Sequence, residues 1–416
     1  MTRRTDALII GAGQAGLAAA RCLADLSIDH VVLERGEIAQ RWTSERWDSL
    51  RLLTPNWMTR LPGGGYDGTD PTGFMDKDSF AALLRKYALD TAAPVQGRTS
   101  VLSVTPAAGG YAVRTDRGDW QARTVILATG ACDRPAVPGW ATLLADDIRQ
   151  LTTRDYRSPA DIVSGGVLIV GGSATGLQLA DEIARAGHPV TLATGRHVRI
   201  PRRYRGRDIM EWLDASGFLT DSRPPDAPCE HLLHQPSFQL SGGMPPRDLD
   251  IGVLAARGVR VVGRITGADG HAVRIADGLR SEAAQAETRM HRILDRIDAH
   301  IGQSGLPAPD GGRPAPVSAA ALDPARMLDL RAAGIGTVLW ATGFRRDYSW
   351  LRVPVLDARA EISQREGATP AAGLFVLGLP FMRRRNSAFI DGVGADARRI
   401  AGSVAQHLGL RAHRAA

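Results

Sequence analysis

Two glycine-rich loops, which begin 160 positions apart, constrain the fold of this chain more than any other feature. They span Gly11–Gly16 (GAGQAG) and Gly171–Gly176 (GGSATG). Each follows a short apolar run and precedes a helical pattern, Leu17–Leu26 in one case and Leu177–Ala186 in the other. Between a strand and a helix, such glycines let the backbone approach a pyrophosphate, whose charge then lies at the helix N-terminus. Two such loops predict two lobes that bind two different dinucleotides.

The strands beside these loops support the same interpretation. Glu34 ends the apolar run His30–Leu33, where an acidic side chain accepts hydrogen bonds from ribose hydroxyls. Thr124–Gly130 has the pattern of a buried strand that ends in Ala-Thr-Gly, and Thr337–Phe344 repeats that pattern downstream. We therefore predict an α/β fold with two Rossmann-like dinucleotide-binding domains.

The order of these segments predicts that the first domain is discontinuous. We expect residues 1–157 and 325–416 to form the first lobe and residues 158–324 to form an inserted second lobe. Outside the loops, helical patterns cover 78–89, 281–302 and 392–407, and short strands are expected around 99–104, 111–115 and 121–127. Within 281–302 the apolar stripe Met290, Ile293, Leu294, Ile297 and Ile301 predicts a face that packs on the core. Proline-rich stretches at 221–228 and 307–316 predict loops.

Composition argues against several classes of function. The net charge is +7 and the pI is about 9.8, but the arginines are spread among acidic residues and the only lysines are Lys77 and Lys86. This pattern predicts no nucleic-acid binding. No apolar run reaches the roughly 20 residues of a membrane span, and the chain enters its first strand almost at once. We therefore expect a cytoplasmic protein with no membrane segment.

The cysteines and histidines predict neither a redox dithiol nor a metal site. Cys22, Cys132 and Cys229 form no Cys-x-x-Cys pair, which argues against a dithiol–disulfide reductase. His231, His234 and His291 have no partners at metal-ligand spacing, so we expect no metal ion and no catalytic His/Asp/Ser constellation.

The two loops, the two Ala-Thr-Gly strands and the segment Leu50–Pro55 (LRLLTP) together resemble the flavin-containing monooxygenase superfamily, in particular its YUCCA-like and bacterial members. The resemblance implies FAD on the first loop and Glu34, NADPH on the second loop, and the flavin ring at the junction of the lobes. It also implies that Arg41-Trp42 and Thr54–Asn56 lie along the flavin and that the two Ala-Thr-Gly segments frame it. The cofactor-binding residues predicted in this way are Gly11, Gly13, Gln14, Ala15, Gly16, Glu34, Arg35, Arg41, Trp42, Leu53, Thr54, Asn56, Ala128, Thr129, Gly130, Gly171, Ser173, Ala174, Thr175, Gly176, Arg196, Ala341, Thr342, Gly343 and Gly378.

The activity implied by the resemblance is that of a single-component monooxygenase. NADPH would reduce FAD, O2 would be activated as a C4a-(hydro)peroxyflavin, and one oxygen atom would pass to a small organic substrate. The expected partners are this substrate and O2, and the expected assembly is a monomer or homodimer.

Three departures from the family pattern keep alternatives open. Thr152 stands where the family signature has a histidine, Ser173 replaces the middle glycine of the second loop, and Leu377–Leu379 replaces the usual late Gly-Asp pair. An NADPH-dependent flavin oxidoreductase or oxidase without oxygen transfer shares every cofactor motif seen here. A flavin-bound redox sensor is a further alternative.

Arginines after the second loop predict the choice of nicotinamide. Arg196 follows the next strand where an acidic residue would favour NAD, and a guanidinium there favours a 2′-phosphate. The five arginines of residues 199–207 are expected mostly to form a solvated surface run. The helix start near Gly392 is expected either to face the flavin or to be a structural start that Asp391 caps.

Overall fold

The computed structural model describes residues 2–222, 236–243, 245–309 and 311–410. Cys229, His231, His234 and most of the proline-rich stretch 221–228 lie outside these residues. Within them the α-helices are α1 Gln14–Asp25, α2 Gln40–Ser44, α3 Lys77–Asp90, α4 Ala174–Arg185, α5 Ile209–Ala215, α6 Ile251–Ala256, α7 Leu279–Ser304 and α8 Val393–His407. Short 3-10 helices cover Asn56–Met58, Gly139–Leu143, Pro159–Asp161, Phe218–Thr220 and Ala319–Ala321.

The strands alternate with these helices along the chain. In order they are β1 Arg3–Ile10, β2 His30–Leu33, β3 Arg60–Leu61, β4 Gly64–Gly65, β5 Val95–Gln96, β6 Val101–Ala107, β7 Gly110–Thr115, β8 Trp120–Leu127, β9 Arg134–Pro135, β10 Arg149–Thr152, β11 Gly166–Val170, β12 Val190–Ala193, β13 Val198–Arg199, β14 Arg203–Tyr204, β15 Arg207–Asp208, β16 Phe238–Gln239, β17 Arg260–Val262, β18 Ile265–Asp269, β19 Ala272–Ile275, β20 Met327–Asp329, β21 Ile335–Trp340, β22 Phe344–Arg345 and β23 Leu374–Val376.

The first sheet has the strand order β5-β2-β1-β8-β7-β6, and β23 pairs with the second half of β8. β1 is parallel to both β2 and β8. Its residues Ala7, Leu8 and Ile9 are fully buried, because a central parallel strand is covered on both faces. α1 presents its small residues to this sheet and also packs against α8. The first glycine-rich loop therefore lies at the carboxyl edge of a rigid sheet.

The second sheet is parallel throughout and has the order β10-β21-β11-β12-β17. Separate apolar clusters cover its two faces. α5 and α7 form a further apolar cluster, in which Met290, Ile293, Leu294 and Ile297 are buried as the stripe predicted and Ile301 is partly buried. Met58 of the first lobe packs into that cluster, so this layer joins the two lobes.

The strand pairing differs from the domain prediction at two places. β21 was assigned with residues 325–416 to the first lobe, and β10 was assigned to residues 1–157. Both pair in the second sheet, where β21 lies between β10 and β11. β8 and β21 look alike in sequence because each closes a different sheet beside its own glycine-rich loop. β23 and α8, which follow the second sheet along the chain, return to the first sheet, where β23 pairs with β8 and α8 packs on α1.

Candidate functional site

The two glycine-rich loops have the same backbone surroundings. Gly11 donates its amide hydrogen to the carbonyl of Leu33 at 2.8 Å, and Gly171 donates to that of Ala193 at 2.9 Å. α1 and α4 each have 12 residues and each begins directly after the middle position of its loop. The chain thus builds one strand–loop–helix unit twice.

The Ala-Thr-Gly segments occupy the same place in each unit. Ala128 donates to the last residue of β1 and Ala341 to the last residue of β11, both at 2.9 Å. Gly11 (φ +107°) packs so closely on this segment that a Cβ atom would come within 2.6 Å of the Ala128 carbonyl oxygen. Gly171 (φ +131°) meets the Ala341 carbonyl in the same way. The first glycine of each loop is therefore required by the packing of the chain itself.

The second Ala-Thr-Gly segment, Ala341–Gly343, belongs to the second unit. It lies against the second loop and not in the first lobe, because β21 belongs to the second sheet. Thr342 nevertheless reaches the first lobe, since its Oγ1 donates to the carbonyl of Ala136 at 2.8 Å. The segment therefore lies at the junction of the lobes.

The N-termini of α1 and α4 differ from those of α3, α5 and α6. α3, α5 and α6 have aspartate caps, in which Asp76, Asp208 and Asp250 accept backbone hydrogen bonds from the first turn. α1 and α4 follow Gly13 and Ser173, and they have neither a side-chain cap nor an acidic residue in the first turn. Free N–H groups at a helix start bind anions. Both loops therefore fit the pyrophosphate of a dinucleotide.

The middle and last positions of the loops have different reasons for being small. A Cβ atom on Gly16 or Gly176 would overlap the carbonyl oxygen of the first glycine in the same loop. A Cβ atom on Gly13 would meet nothing within 4 Å. The open space at Gly13 is the place where a bound group can approach the backbone.

The residue that follows the second strand of each unit distinguishes the two sites. Glu34 follows β2, and its carboxylate accepts from the amides of Ala12 at 2.8 Å and Gly36 at 3.0 Å. Thr194 holds the same place after β12, and its side chain packs against Gly172. A carboxylate accepts hydrogen bonds from a free ribose diol and repels a phosphate on that ribose. A threonine is uncharged and does not repel that phosphate.

Two predicted residues of the first lobe have a structural role at this loop. Gly378 (φ +80°) follows β23, and a Cβ atom there would come within 2.7 Å of the Ala15 side chain. Ala15 is itself buried in the first turn of α1. Close packing of β23 on α1 accounts for the glycine at position 378.

Gln239 is a residue of the second site that the sequence analysis missed. It is fully buried, and its Nε2 donates to the carbonyl of Gly172 at 2.8 Å. Its Oε1 has no hydrogen-bond partner among the described residues. Gln239 lies on the two-residue strand β16, which carries no motif, so only the fold reveals it.

A charged network fixes the junction between the lobes. Arg41 donates to the carboxylate of Asp133 at 2.5 Å, and Arg35 bonds the same oxygen at 3.1 Å. Arg154, which follows β10, donates to Glu45 at 2.7 Å. The guanidinium groups of Arg35 and Arg41 are thus engaged by the protein itself.

Thr152 and Trp42, two positions that the sequence analysis singled out, are engaged with other side chains of the protein. Thr152 ends β10, and its hydroxyl donates to Asp155 at 2.7 Å. The ring of Trp42 packs edge-on against Phe80, with 4.7 Å between ring centroids. Thr152 holds its own turn, and it presents no cationic donor.

The segment Leu53–Asn56 is held by its neighbours at both ends. Asn56 is buried; its Oδ1 accepts from Met75 and its Nδ2 donates to the carbonyl of Asp70, both at 2.8 Å. The carbonyl of Leu53 accepts from Arg202 at 2.8 Å. Any cofactor contact of this segment therefore falls to its backbone and to the half-buried Thr54.

The five arginines of residues 199–207 were expected mostly to form a solvated surface run. Two of them, Arg199 and Arg202, are buried instead. Arg199 is buried and pairs with Asp250 at 2.6 Å. Arg202 is 1% exposed, bonds Asp208 with two nitrogens and lies over the ring of Phe74 at 4.7 Å. Both guanidiniums are structural. Arg196 is exposed and lies three residues after the end of β12.

Comparison with known proteins agrees with this geometry. The family model for pyridine nucleotide-disulphide oxidoreductases matches residues 8–213. An uncharacterized oxidoreductase CzcO-like of Geobacillus kaustophilus is 29% identical over 98% of this chain and 100% of that protein. Indole-3-pyruvate monooxygenase YUCCA1 of rice is 31% identical over 50% of this chain and 54% of that protein.

A solved structure has the same fold across nearly the full length. The flavin-containing monooxygenase from Stenotrophomonas maltophilia aligns with a TM-score of 0.67 and 20% identity, covering 98% of this chain and 100% of that one. The family model, the YUCCA relatives and this shared fold together support the flavin monooxygenase superfamily for the chain. The predicted α/β fold is confirmed, and the same comparisons support a flavin-dependent oxidoreductase that uses FAD and NADPH.

The described cysteines do not form a dithiol. Cys22 is buried in α1, and Cys132 is half-buried after the first Ala-Thr-Gly segment; both are free. Burial raises the pKa of the Cys22 thiol from 9.0 to about 11, so this thiol stays protonated and unreactive near neutral pH.

In the described ranges, no group of three or more His, Cys, Asp or Glu side chains is placed to hold a metal ion. None of the described helices is long and apolar enough to cross a membrane. α8 begins after Gly392 without a side-chain cap, so the suggestion that Asp391 caps it was wrong. Asp391 pairs instead with Arg60.

Proposed function

We propose that this chain is a single-component monooxygenase that binds FAD on the first unit and NADPH on the second. The observation that carries the proposal is the duplication of one strand–loop–helix unit with a different residue after its second strand. Glu34 suits the unmodified ribose of FAD, and Thr194 with the nearby Arg196 suits the 2′-phosphorylated ribose of NADPH. The predicted cofactor residues of both loops are part of this proposal.

The strand pairing supports revised domain limits. We place residues 2–148 and 344–410 in the FAD lobe and residues 149–343 in the NADPH lobe, since β10 and β21 both lie in the second sheet. The network of Arg41, Asp133 and Arg154 then holds the two lobes in register at their junction.

The residues of the chain have three tasks in this proposal. The uncapped starts of α1 and α4 hold the two pyrophosphates. The junction network keeps the nicotinamide and flavin sites adjacent. The apolar layer that includes Met58, with Trp57 and Phe389 packed on it, keeps water from the space beside them. FAD, when bound, accepts hydride from NADPH and supplies the reaction with O2.

An NADPH oxidase without oxygen transfer is the second candidate. The observation that favours it is Thr152, whose hydroxyl is engaged with Asp155 at the position where the family pattern has histidine. We expect NADPH oxidation without substrate to yield H2O2 readily and substrate to divert the oxygen into product. Steady NADPH turnover would also exclude a redox sensor.

The yield of H2O2 per NADPH separates the two enzymes. The purified yellow protein is supplied with NADPH and ¹⁸O2, first alone and then with indole-3-pyruvate, the substrate in the name of the rice relative, and with a panel of small thioethers and amines. A monooxygenase gives less H2O2 and incorporates ¹⁸O into a product with at least one substrate. H2O2 equal to the NADPH consumed with every substrate contradicts oxygen transfer.

A further inference from the structure

Four arginines lie near the carboxyl edge of the second sheet. Arg196 follows β12, and Arg264 follows the neighbouring strand β17, with its side chain 3.4–3.7 Å from the position of a Cβ atom on Gly195. Arg289 and Arg292 come from α7, and the positive charges of Arg196 and Arg292 both act on Arg289. α7 is outside the strand–loop–helix unit, so no motif in the sequence connects it with the second loop.

At the carboxyl edge of the first sheet, the arginines in corresponding positions are paired with carboxylates. Arg35, directly after Glu34, pairs with Asp133 at 3.1 Å. Arg98 holds the place after β5 that Arg264 holds after β17, and it pairs with Glu37 at 2.5 Å. Across the described ranges, by contrast, Arg196, Arg264 and Arg292 are exposed and make no ion pair. The second edge therefore carries positive charge that the protein does not balance.

The guanidinium of Arg289 makes a hydrogen bond through one of its nitrogens and leaves another without a partner among the described residues. Its Nη2 donates to the carbonyl of His197 at 3.0 Å, and the nearest carboxylate, Glu282, is 3.9 Å away. Its buried Nε has no hydrogen-bond partner among the described residues. Burial lowers the pKa of Arg289 below its ordinary value, and the charges of Arg196 and Arg292 lower it further. Like charges held together in this way favour the binding of an anion.

We propose that Arg289 of α7, together with Arg196, binds the 2′-phosphate of NADPH and thereby determines the preference for NADPH over NADH. This inference rests on the proposed assignment of NADPH to the second unit. The phosphate monoester carries about two negative charges, and the planar guanidinium fork of each arginine matches its oxygens. Arg264 and Arg292 add to the local positive potential without being required as direct ligands.

Binding of adenosine nucleotides to the FAD-loaded protein tests this site separately from catalysis. Calorimetry compares 2′,5′-ADP with 5′-AMP for the wild type, Arg289→Ala, Arg289→Lys, Arg196→Ala and the double alanine variant. Arg280→Ala is the matched control, since Arg280 is exposed on the same helix nine residues earlier, about 14 Å away along the axis. Flavin content and circular dichroism check that each variant is folded.

We expect each single alanine variant to bind 2′,5′-ADP roughly tenfold more weakly and to bind 5′-AMP as the wild type does. The double variant should bind the two nucleotides equally, Arg289→Lys should lose only part of the preference, and Arg280→Ala should lose none. Unchanged 2′,5′-ADP affinity in Arg289→Ala, or an equal loss for both nucleotides, overturns the role of Arg289. Wild-type protein that binds both nucleotides equally contradicts the assignment of NADPH itself.

Discussion

The first and second glycine-rich units have the same backbone and different chemistry. In both, the first glycine donates to the strand beside it, the Ala-Thr-Gly carbonyl covers that glycine, and a 12-residue helix starts without a cap. Glu34 occupies one strand end and Thr194 the other. Arg35 and Arg98 are ion-paired beside the first unit, whereas the exposed Arg196 and Arg264 beside the second make no ion pair among the described residues. Backbone geometry thus provides a pyrophosphate site, and a few side chains at the edge choose the nucleotide.

A replacement at the open middle position of the first loop should have the largest effect. Gly13→Val should give a folded, colourless protein, because its Cβ atom meets nothing within 4 Å in the chain and its side chain fills the space where the pyrophosphate approaches. The backbone there is extended (φ −80°), so valine is tolerated. Flavin absorbance per folded protein measures the effect. Full flavin content in a folded Gly13→Val protein would falsify the FAD assignment.

Gly11→Ala is the informative contrast. The same loop then loses its fold and not only its ligand, because Gly11 has a positive φ and its new Cβ meets the Ala128 carbonyl. We expect a much lower melting temperature than that of Gly13→Val. Equal stability of the two variants would show that the loop is less rigid than the structure indicates.

Arg202 anchors the second lobe to the first, because it bonds both Asp208 and the Leu53 carbonyl. Replacing Arg202 should have the next largest effect, a loss of stability. Arg202→Ala leaves Asp208 and the Leu53 carbonyl without their partner and should lower the free energy of unfolding by roughly 3 kcal/mol. Urea denaturation measures this. The neighbouring exposed Arg203→Ala should change it by less than about 0.5 kcal/mol. Similar values for the two variants would contradict the role of Arg202 as an anchor.

The last glycines of the loops test whether the units are equivalent in energy as well as in geometry. In Gly16→Ala and in Gly176→Ala the new methyl group overlaps the carbonyl of the first glycine. Each should lower the free energy of unfolding by roughly 2 kcal/mol, since overpacked cores cost that much. A loss of stability in only one of the two variants would show that the two units are not equivalent in energy.

The smallest expected effect is on the pH dependence of stability. It concerns the ninth residue of each loop helix, which is Cys22 in α1 and Glu182 in α4. Burial raises the pKa of Glu182 above its ordinary 4.5, although Ser49 of the first lobe donates to its carboxylate at 2.6 Å. Because the folded-state pKa is the higher one, the unfolded chain releases this proton first. Wild-type stability relative to Glu182→Gln should therefore fall as the pH rises above 4.5 and level off past the folded-state pKa. Unfolding curves between pH 4 and pH 8 measure it, and a wild-type stability that rises with pH relative to Glu182→Gln would contradict this sign.

Local sequence patterns predicted much of the fold and of the candidate site. Both loops, their helices, the residue after β2 and the apolar stripe of α7 follow from spacing and periodicity. The roles of Arg199 and Arg202 did not, since an arginine run looks the same whether it faces water or buried carboxylates. The place of Ala341–Gly343 was also missed, because two strands of nearly identical sequence close different sheets.

The sequence by itself determined that this chain has two dinucleotide-binding units and which residues line their loops, because tight turns and buried parallel strands restrict residue types over short distances. Only the tertiary structure decided which sheet β21 joins, that Gln239 reaches Gly172, and that Arg289 bonds the carbonyl of His197, the residue after Arg196. Those contacts join segments tens of residues apart whose side chains obey no local rule. They depend on the free energy of packing the whole chain.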